Sequence, residues 1–496
     1  MALGLVCNAS PAVAADPPDA GRSAANIILV LADDLGYADP GFQGGTDIPT
    51  PALDALVAAG VRCTDGYVTC PVCAPTRAGL LTGRYQQRFG FEYNPGPEAH
   101  AEADFGLPRA VPTIAERLKH LGYATGMVGK WHLGFSADLA PTGRGFDSFF
   151  GFLGGAHDYL PRAGVQRSAI LRGGEAVAER DYLTTAFARE AVDFVDCHHG
   201  QPFFLYLAFN AVHAPLDADP ALAERFAGIS DARRRTYATM LASMDAAVGR
   251  VMAAVAGHGL AERTLVIFLS DNGGPTPQTS ACNLPLRGGK TQFYEGGIRV
   301  PFALSWPGVL PAGAVERRPV CSLDLAPTIL AAAGGTIAPE DGIDGVDLLP
   351  YLTGRREGQP HDRLFWRQGE RRAARLGDWK LVRQEVDAPA QLYQLAADPG
   401  ETRDLAAAEP ARLAELEAAW TAWDAGNIAA GWVRRDGSEG RRQRDPLRTF
   451  DRLDGDGDGR VTPAELPDAA VFRRFERDGD GVITRAEASA AAGAAP

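Results

Sequence analysis

Cys73-Ala74-Pro75-Thr76-Arg77, continued by Leu81-Thr82-Gly83-Arg84, is the segment best suited to chemistry. Its flanks predict a loop entering a helix, and a helix N-terminus favours developing negative charge. Arg77, four residues beyond Cys73, then lies one turn along the same face, a fixed cation beside the cysteine. The residues alone leave two readings open. A buried cysteine packs as a small hydrophobe, whereas a thiolate nucleophile needs a base such as histidine in reach. Four more clusters end short apolar runs: Asp33 and Asp34 in "NIILVLADD", Lys130 and His132 in "YATGMVGKWH", His213 in "FFLYLAFNAVH", and Asp271 and Asn272 in "LVIFLSDNGG". One aspartate after a strand is ordinarily a cap or turn residue. Four strand ends acting in concert predict a composite site.

The elements that position these residues follow from periodicity. The runs are apolar on both faces, as in a buried parallel sheet. Between them lie amphipathic stretches such as "VPTIAERLKHLG" and "YATMLASMDAAVGRVMAAVAG". The alternation predicts an α/β fold, a mostly parallel central sheet flanked by helices. In such sheets ligands bind beyond the carboxyl ends of the strands, where the four clusters fall. From about Tyr351 the texture changes, and "RRAARLGDWKLVRQ" and "QLYQLAADPGETRDL" predict short strands in a smaller α+β subdomain.

Cys-x-Pro-x-Arg followed by Thr-Gly-Arg resembles the signature of the type I sulfatases, whose cysteine is oxidised to formylglycine. The resemblance lies on the arylsulfatase A-like and N-acetylgalactosamine-6-sulfatase-like side of the family and runs from Asn26 to Leu405. "NIILVLADDLGY" is similar to the family's first metal-binding turn and "LSDNGG" to its second. "GKWHLG" resembles its lysine–histidine motif, "LRGGKTQFYEGGIRVP" its sulfate-binding segment, and "QLYQLAADPGETRDL" its C-terminal signature. The family implies an alkaline-phosphatase-like fold. It also implies a divalent cation held by Asp33, Asp34, Asp271 and Asn272, with modified Cys73 completing the shell. Oxygen ligands suit Ca²⁺ or Mg²⁺, and calcium is the family's usual ion. Lys130, His132, His213 and Lys290 match positions around the sulfate ester, and Arg77 matches the residue that hydrogen-bonds formylglycine.

That chemistry explains the residue types. A sulfate monoester is anionic, so cations and metal must offset its charge. One hydroxyl of the hydrated aldehyde attacks sulfur, and His213 or Lys290 gives the leaving alcohol its proton. His132 then takes the proton of the second hydroxyl, which expels sulfate and regenerates the aldehyde. Such acid–base help typically contributes ~10²–10⁴-fold. Other polar residues are less telling. His157 and Asp158 are read evenly as loop residues or substrate contacts. Glu92, Tyr93 and His100 read as a rim loop without function, and Cys70 as structural.

The C-terminus carries a separate signal. Asp454, Asp456 and Asp458, with Gly459 at position 6, Arg460 at the carbonyl position and Glu465 at position 12, match an EF-hand calcium loop. A second loop fits Glu476, Asp478, Asp480, Val482 and Glu487, its first ligand Glu rather than Asp. Val461 and Ile483 at position 8 suit the short β contact between paired loops. The module, a helical EF-hand pair, is similar to compact dockerin-like units. It stabilises the fold or attaches the chain to a partner or matrix.

Composition sets the bounds. The chain has 496 residues, 46 % hydrophobic and 22 % charged, with a net charge of −13 that argues against nucleic-acid binding. No uninterrupted apolar run approaches the ~20 residues of a membrane helix. Cys7, Cys63, Cys70, Cys73, Cys197, Cys282 and Cys321 allow one or two bridges and leave at least one thiol over. Ala12-Val13-Ala14 resembles a signal-peptidase site, although no Lys or Arg precedes Arg22, so the chain reads as exported, periplasmic or secreted, with a truncated signal. The expected organisation is a leader over 1–22, a catalytic domain over 23–350, its C-terminal subdomain over 351–432, a charged linker over 433–445 and the calcium module over 446–496.

Three functions compete. The first is a sulfatase acting on sulfated carbohydrate or aryl sulfate, which requires a formylglycine-generating maturase as partner. The second is a phosphate or phosphonate ester hydrolase of the same superfamily. Two-metal members need a second Asp/His ligand set, and the Asp271-Asn272-Gly273 turn has no histidine directly after the aspartate. The third is a calcium-dependent binding pseudoenzyme, the outcome if Cys73 stays a thiol.

Overall fold

The computed structural model describes residues 24–96, 105–161, 169–432, 459–463 and 480–484. The chain divides into two compact units, Met1–Trp432 and Val433–Pro496. In the first, the strands in chain order are β1 (Asn26–Ala32), β2 (Val61–Cys63), β3 (Gly66–Tyr67), β4 (Ala124–Lys130), β5 (Ser148–Phe152), β6 (Ile170–Arg172), β7 (Glu175–Val177), β8 (Phe203–Ala208), β9 (Thr264–Ser270), β10 (Phe302–Ser305), β11 (Ala314–Glu316), β12 (Val320–Cys321), β13 (Arg363–Gln368), β14 (Arg371–Leu376), β15 (Trp379–Arg383) and β16 (Gln391–Gln394).

Ten of them form one sheet in the order β11-β2-β10-β9-β1-β8-β4-β5-β6-β7. The centre, β9-β1-β8-β4-β5, is parallel. Its margins include antiparallel pairs: β10 is antiparallel to β9 and β2, and β6 is antiparallel to β5 and β7, while the edge strand β11 is parallel to β2. The sheet is therefore mixed, with the parallel centre that the sequence predicted and antiparallel pairs added at its margins. The β6–β7 hairpin turns at Gly173 (φ +62°) and Gly174, too short a link for anything but antiparallel pairing.

Burial explains the central strands. On β1, Ile27, Leu29 and Leu31 enter one core and Ile28, Val30 and Ala32 the other. On β8, Phe204, Tyr206 and Ala208 alternate with Phe203, Leu205 and Leu207 in the same way. Each fully buried large side chain contributes ~1.5–3 kcal/mol. The helix Ile114–His120 is closed by a capping box: Thr113 Oγ1 accepts from the Glu116 amide at 3.1 Å, and Glu116 Oε2 from the Thr113 amide at 2.6 Å. Among the described residues, one helix, Ala232–Gly257, is long and apolar enough to cross a membrane. It serves here as a core helix, and its buried Asp245 accepts from the Leu53 and Ala52 amides, capping the helix Pro51–Ala58.

The predicted C-terminal strands appear as the antiparallel sheet β13-β14-β15-β16, backed by the helix Pro410–Asp424. Its other face joins the main core through Trp366, Val382 and Tyr393, and Trp366 Nε1 donates to the Val68 carbonyl at 2.7 Å. All six described cysteines are free, so no bridge forms among them.

In the second unit, β17 (Arg460–Val461) pairs antiparallel with β18 (Ile483–Thr484), Val461 opposite Ile483. Gly459 (φ +81°) and Gly481 (φ +84°) adopt the left-handed turn that an EF-hand loop requires at position 6. Of the predicted calcium ligands, Arg460, Asp480 and Val482 are described, and Asp480 Oδ1 accepts from the Val482 amide at 3.0 Å. Asp454, Asp456, Asp458, Glu465, Glu476, Asp478 and Glu487 lie outside the described residues, as do the leader, Cys7, His100 and the linker.

Leu29 is fully buried at the centre of the sheet. Leu29→Ala is expected to cost ~2–5 kcal/mol, read from urea unfolding.

Candidate active site

The carboxyl ends of the parallel strands converge as the sequence predicted. Asp33 and Asp34 follow β1, Lys130 ends β4 with His132 just beyond, His213 lies past β8, and Asp271 and Asn272 follow β9. Cys73 is the first residue of the helix Cys73–Thr82, and Asn94 Oδ1 accepts from the Ala74 amide at 3.0 Å in that first turn. Asp33, Asp34, Cys73, Arg77, Lys130, His132, Asp271 and Asn272 are all buried, and His213 and Lys290 are partly so.

Charges this deep must be paired. Lys130 Nζ donates to Asp33 Oδ2 at 2.5 Å. Lys290 Nζ lies 2.7 Å from Asp34 Oδ1 and 3.4 Å from Cys73 Sγ. His213 Nε2 is 3.6 Å from Asp34 Oδ2. Arg77 Nε and Nη2 donate to Asp271 Oδ2 at 3.0 and 2.8 Å, and its Nη1 to the Lys130 carbonyl at 2.9 Å. The predicted partner of Arg77 was the oxidised cysteine. With Cys73 an unmodified thiol here, the guanidinium is held by Asp271.

These pairings set the protonation states. Burial pushes the Cys73 thiol up to about 12, with Asp271 adding to the shift, so at neutral pH it is no thiolate. Burial disfavours the Asp33 carboxylate, but Lys130, His213 and Arg77 outweigh it and hold its pKa low. Burial likewise opposes the Lys290 ammonium, and the Asp34, Asp33 and Asp271 carboxylates overcome it, keeping Lys290 charged. His132 is driven well below the usual histidine range by burial and then by Lys130, Arg77 and Lys290. His213 is lowered by burial and by Lys290. Asp34 and His132 hold left-handed φ values of +64°. Gly155 packs on the His132 ring, where a Cβ would stand 2.6 Å from Nε2.

Residues able to hold a cation are present. Among the described residues, Asp33, Asp34, Cys73 and His213 bring ligand atoms within 4.8 Å of one another. Asn272 Nδ2 donates to Asp34 Oδ1 at 2.7 Å, while its buried Oδ1 has no hydrogen-bond partner. An orphaned amide oxygen beside two carboxylates fits a hard divalent ion.

Sequence reasoning missed several neighbours. Asp39, buried under the first turn, accepts from Tyr237 Oη at 2.5 Å and Arg234 Nη1 at 2.6 Å, and steadies Gly36. Nothing in its local spacing separated it from a turn residue. Asn210, with both amide atoms buried and unpartnered, precedes His213 on the same strand-end loop, a position that alone marked it. Glu92 is not on a rim: it is buried, takes Arg367 Nη2 at 2.5 Å and ties Gly369. Cys70, read as structural, is buried, and Thr76 Oγ1 donates to its carbonyl at 2.7 Å. His157 Nδ1 lies 2.6 Å from the Asp158 carbonyl, its ring 5.1 Å from that of Phe152.

The thiol chemistry is testable in unmodified protein. Alkylation of Cys73 by iodoacetamide, followed by peptide mass, is expected to be far slower at pH 8 than that of exposed Cys197, and to rise with pH without a plateau below about 11.

The Sulfatase family matches residues 25–335, and the domain described as N-sulphoglucosamine sulphohydrolase, C-terminal, matches 289–418. Arylsulfatase A of Bos taurus is 36 % identical over 439 residues, 78 % of this chain and 84 % of that protein. N-acetylgalactosamine-6-sulfatase of Sus scrofa is 34 % identical over 433 residues, 76 % of this chain and 80 % of that one. The crystal structure of Ps i-CgsB in complex with k-i-k-neocarrahexaose superposes with a TM-score of 0.79 at 34 % identity, covering 86 % of this chain and 99 % of the other. With fold, site and relatives in agreement, the chain belongs to the sulfatase family and is a sulfate-ester hydrolase.

Proposed function

We propose that this enzyme hydrolyses sulfate monoesters on carbohydrate, using formylglycine made from Cys73 and one Ca²⁺ held by Asp33, Asp34, Asp271 and Asn272. The observation that carries the reading is the convergence of Arg77, Lys130, Lys290, His132 and His213 with three aspartates on a buried Cys73, Lys290 Nζ 3.4 Å from its sulfur. A carbohydrate substrate is supported by the relatives: one is an N-acetylgalactosamine-6-sulfatase and one was solved with an oligosaccharide.

Formylglycine, once hydrated, supplies an oxygen nucleophile, and the cation offsets sulfate charge. The chain's own groups do the rest. Lys130 and Lys290 bind the anionic ester, and Lys290, held charged, stays a donor throughout. Arg77 fixes Asp271 among the cation's ligands. His132, kept neutral by burial and surrounding cations, is the base that accepts a proton when sulfate leaves. His213 or Lys290 donates to the leaving alcohol. The C-terminal unit is read as a calcium-binding EF-hand pair, supported by the Val461–Ile483 pairing and the left-handed glycines before it.

The tryptic peptide 63–77, from protein made in its native host, is expected to be about 18 Da lighter by mass spectrometry as cysteine becomes formylglycine. Sulfate release from a panel of sulfated oligosaccharides should accompany it. A peptide wholly in the thiol form, with no sulfate released, overturns the reading. Chelation followed by Ca²⁺ at a hundred times Kd should restore ~2.7 kcal/mol of stability per occupied site. Asp34→Asn should abolish the active-site share of that gain, and Asp454→Asn only the share of the C-terminal module, read from thermal melts.

A further inference from the structure

The segment that carries Lys290 is held from two sides. The Thr291 amide donates to the Pro71 carbonyl at 2.8 Å, near Cys73, and the Gly297 carbonyl accepts from the Gly273 amide at 3.0 Å, just past β9. Further polar groups are satisfied from the four-stranded C-terminal sheet. The Thr291 carbonyl accepts from Arg371 Nη1 at 3.0 Å and from Gln384 Nε2 at 3.2 Å. The Phe293 amide donates to Gln384 Oε1 at 2.8 Å, and Tyr294 Oη to Gln391 Oε1 at 2.6 Å. Thr291 itself sits at φ +74°, a backbone state a β-branched residue keeps only when its surroundings impose it.

The anchor is a buried charge triad. Lys380 Nζ, on β15, lies 2.7 Å from Glu295 Oε1 and 2.9 Å from Glu401 Oε1, and all three residues are fully buried. Glu401 Oε2 in turn accepts from the Glu295 amide at 2.6 Å. Burial drives the Glu401 carboxyl up, and Lys380 only partly offsets it. Lys380 therefore bridges two carboxylates, one from the Lys290 segment and one from the C-terminal loop, and Arg299 Nη1 stands 3.4 Å from the far side of Glu295. A hydrophobic triad would pack the subdomain as well, whereas this one also fixes register, because each charge has one partner geometry.

We propose that the C-terminal sheet is the scaffold that sets the Lys290 ammonium against Asp34 and Cys73, with Lys380 as its positioning residue and Gln384 as a second. This rests on the catalytic reading of Lys290. Lys380 touches neither substrate nor reacting atom and acts through the chain from Glu295 back to Lys290.

The test is a double-mutant cycle on full-length, formylglycine-containing protein with p-nitrophenyl sulfate as substrate. Lys290→Met comes first. Activity close to that of the unaltered protein would refute the role of Lys290 and the proposal with it. When Lys290→Met is impaired, Lys380→Met is expected to lower kcat/KM about 10²-fold, the cost of a displacement of about 1 Å in a catalytic group. The double variant should be no worse than Lys290→Met alone. Gln384→Ala removes only a part-buried side chain and keeps the test open if Lys380→Met fails to fold. It should lose roughly threefold to tenfold, the scale of one neutral hydrogen bond, and nothing further in the Lys290→Met background. Losses that multiply with that of Lys290→Met, or a folded Lys380→Met or Gln384→Ala with unchanged kcat/KM, overturn the proposal.

Discussion

The pairing of Arg77 with Asp271 is the constraint on which the rest of the site depends. Both side chains are wholly removed from water, and an unpaired charge at that depth costs several kcal/mol. The pair ties the first helical turn after Cys73 to the end of β9, and the third guanidinium nitrogen ties both to the end of β4. Lys130–Asp33 and Lys290–Asp34 then follow by the same logic. Three cations and three carboxylates neutralise one another, so the site is at once costly to build and fixed in geometry. A hydrophobic core of two layers supplies the stability that such burial consumes.

Much of this was legible in the chain. The runs ending at Ala32, Ala208 and Ser270 are apolar at consecutive positions, as a strand covered on both faces requires, and these and the run ending at Lys130 each end where their polar residues enter the site. Spacing sufficed because the residues concerned are close to strand ends, where local sequence and tertiary position coincide. Lys290 was legible only through resemblance, since no strand delivers it.

What stayed illegible depends on contacts distant in sequence. The antiparallel margins of the sheet come from short strands such as Glu175–Val177, whose pattern is too brief to fix direction. Glu92 read as a rim residue because its partner, Arg367, lies 275 positions away. Glu295 and Lys380 lie 85 positions apart, and only the folded chain shows that they meet in a dry interior.

The depth of Cys73 also has a bearing on time. With 1 % of its surface exposed, the residue is closed off by Asp271 and Lys290, which are made long after it. At ~5–20 residues per second, synthesis places Asp271 about 10–40 s behind Cys73. On the proposed formylglycine reading, an oxidising enzyme that must grasp this side chain would have that interval, and the delay before the sheet closes, in which to work. A chain that closed early would then be sealed with an intact thiol, well packed and without its nucleophile.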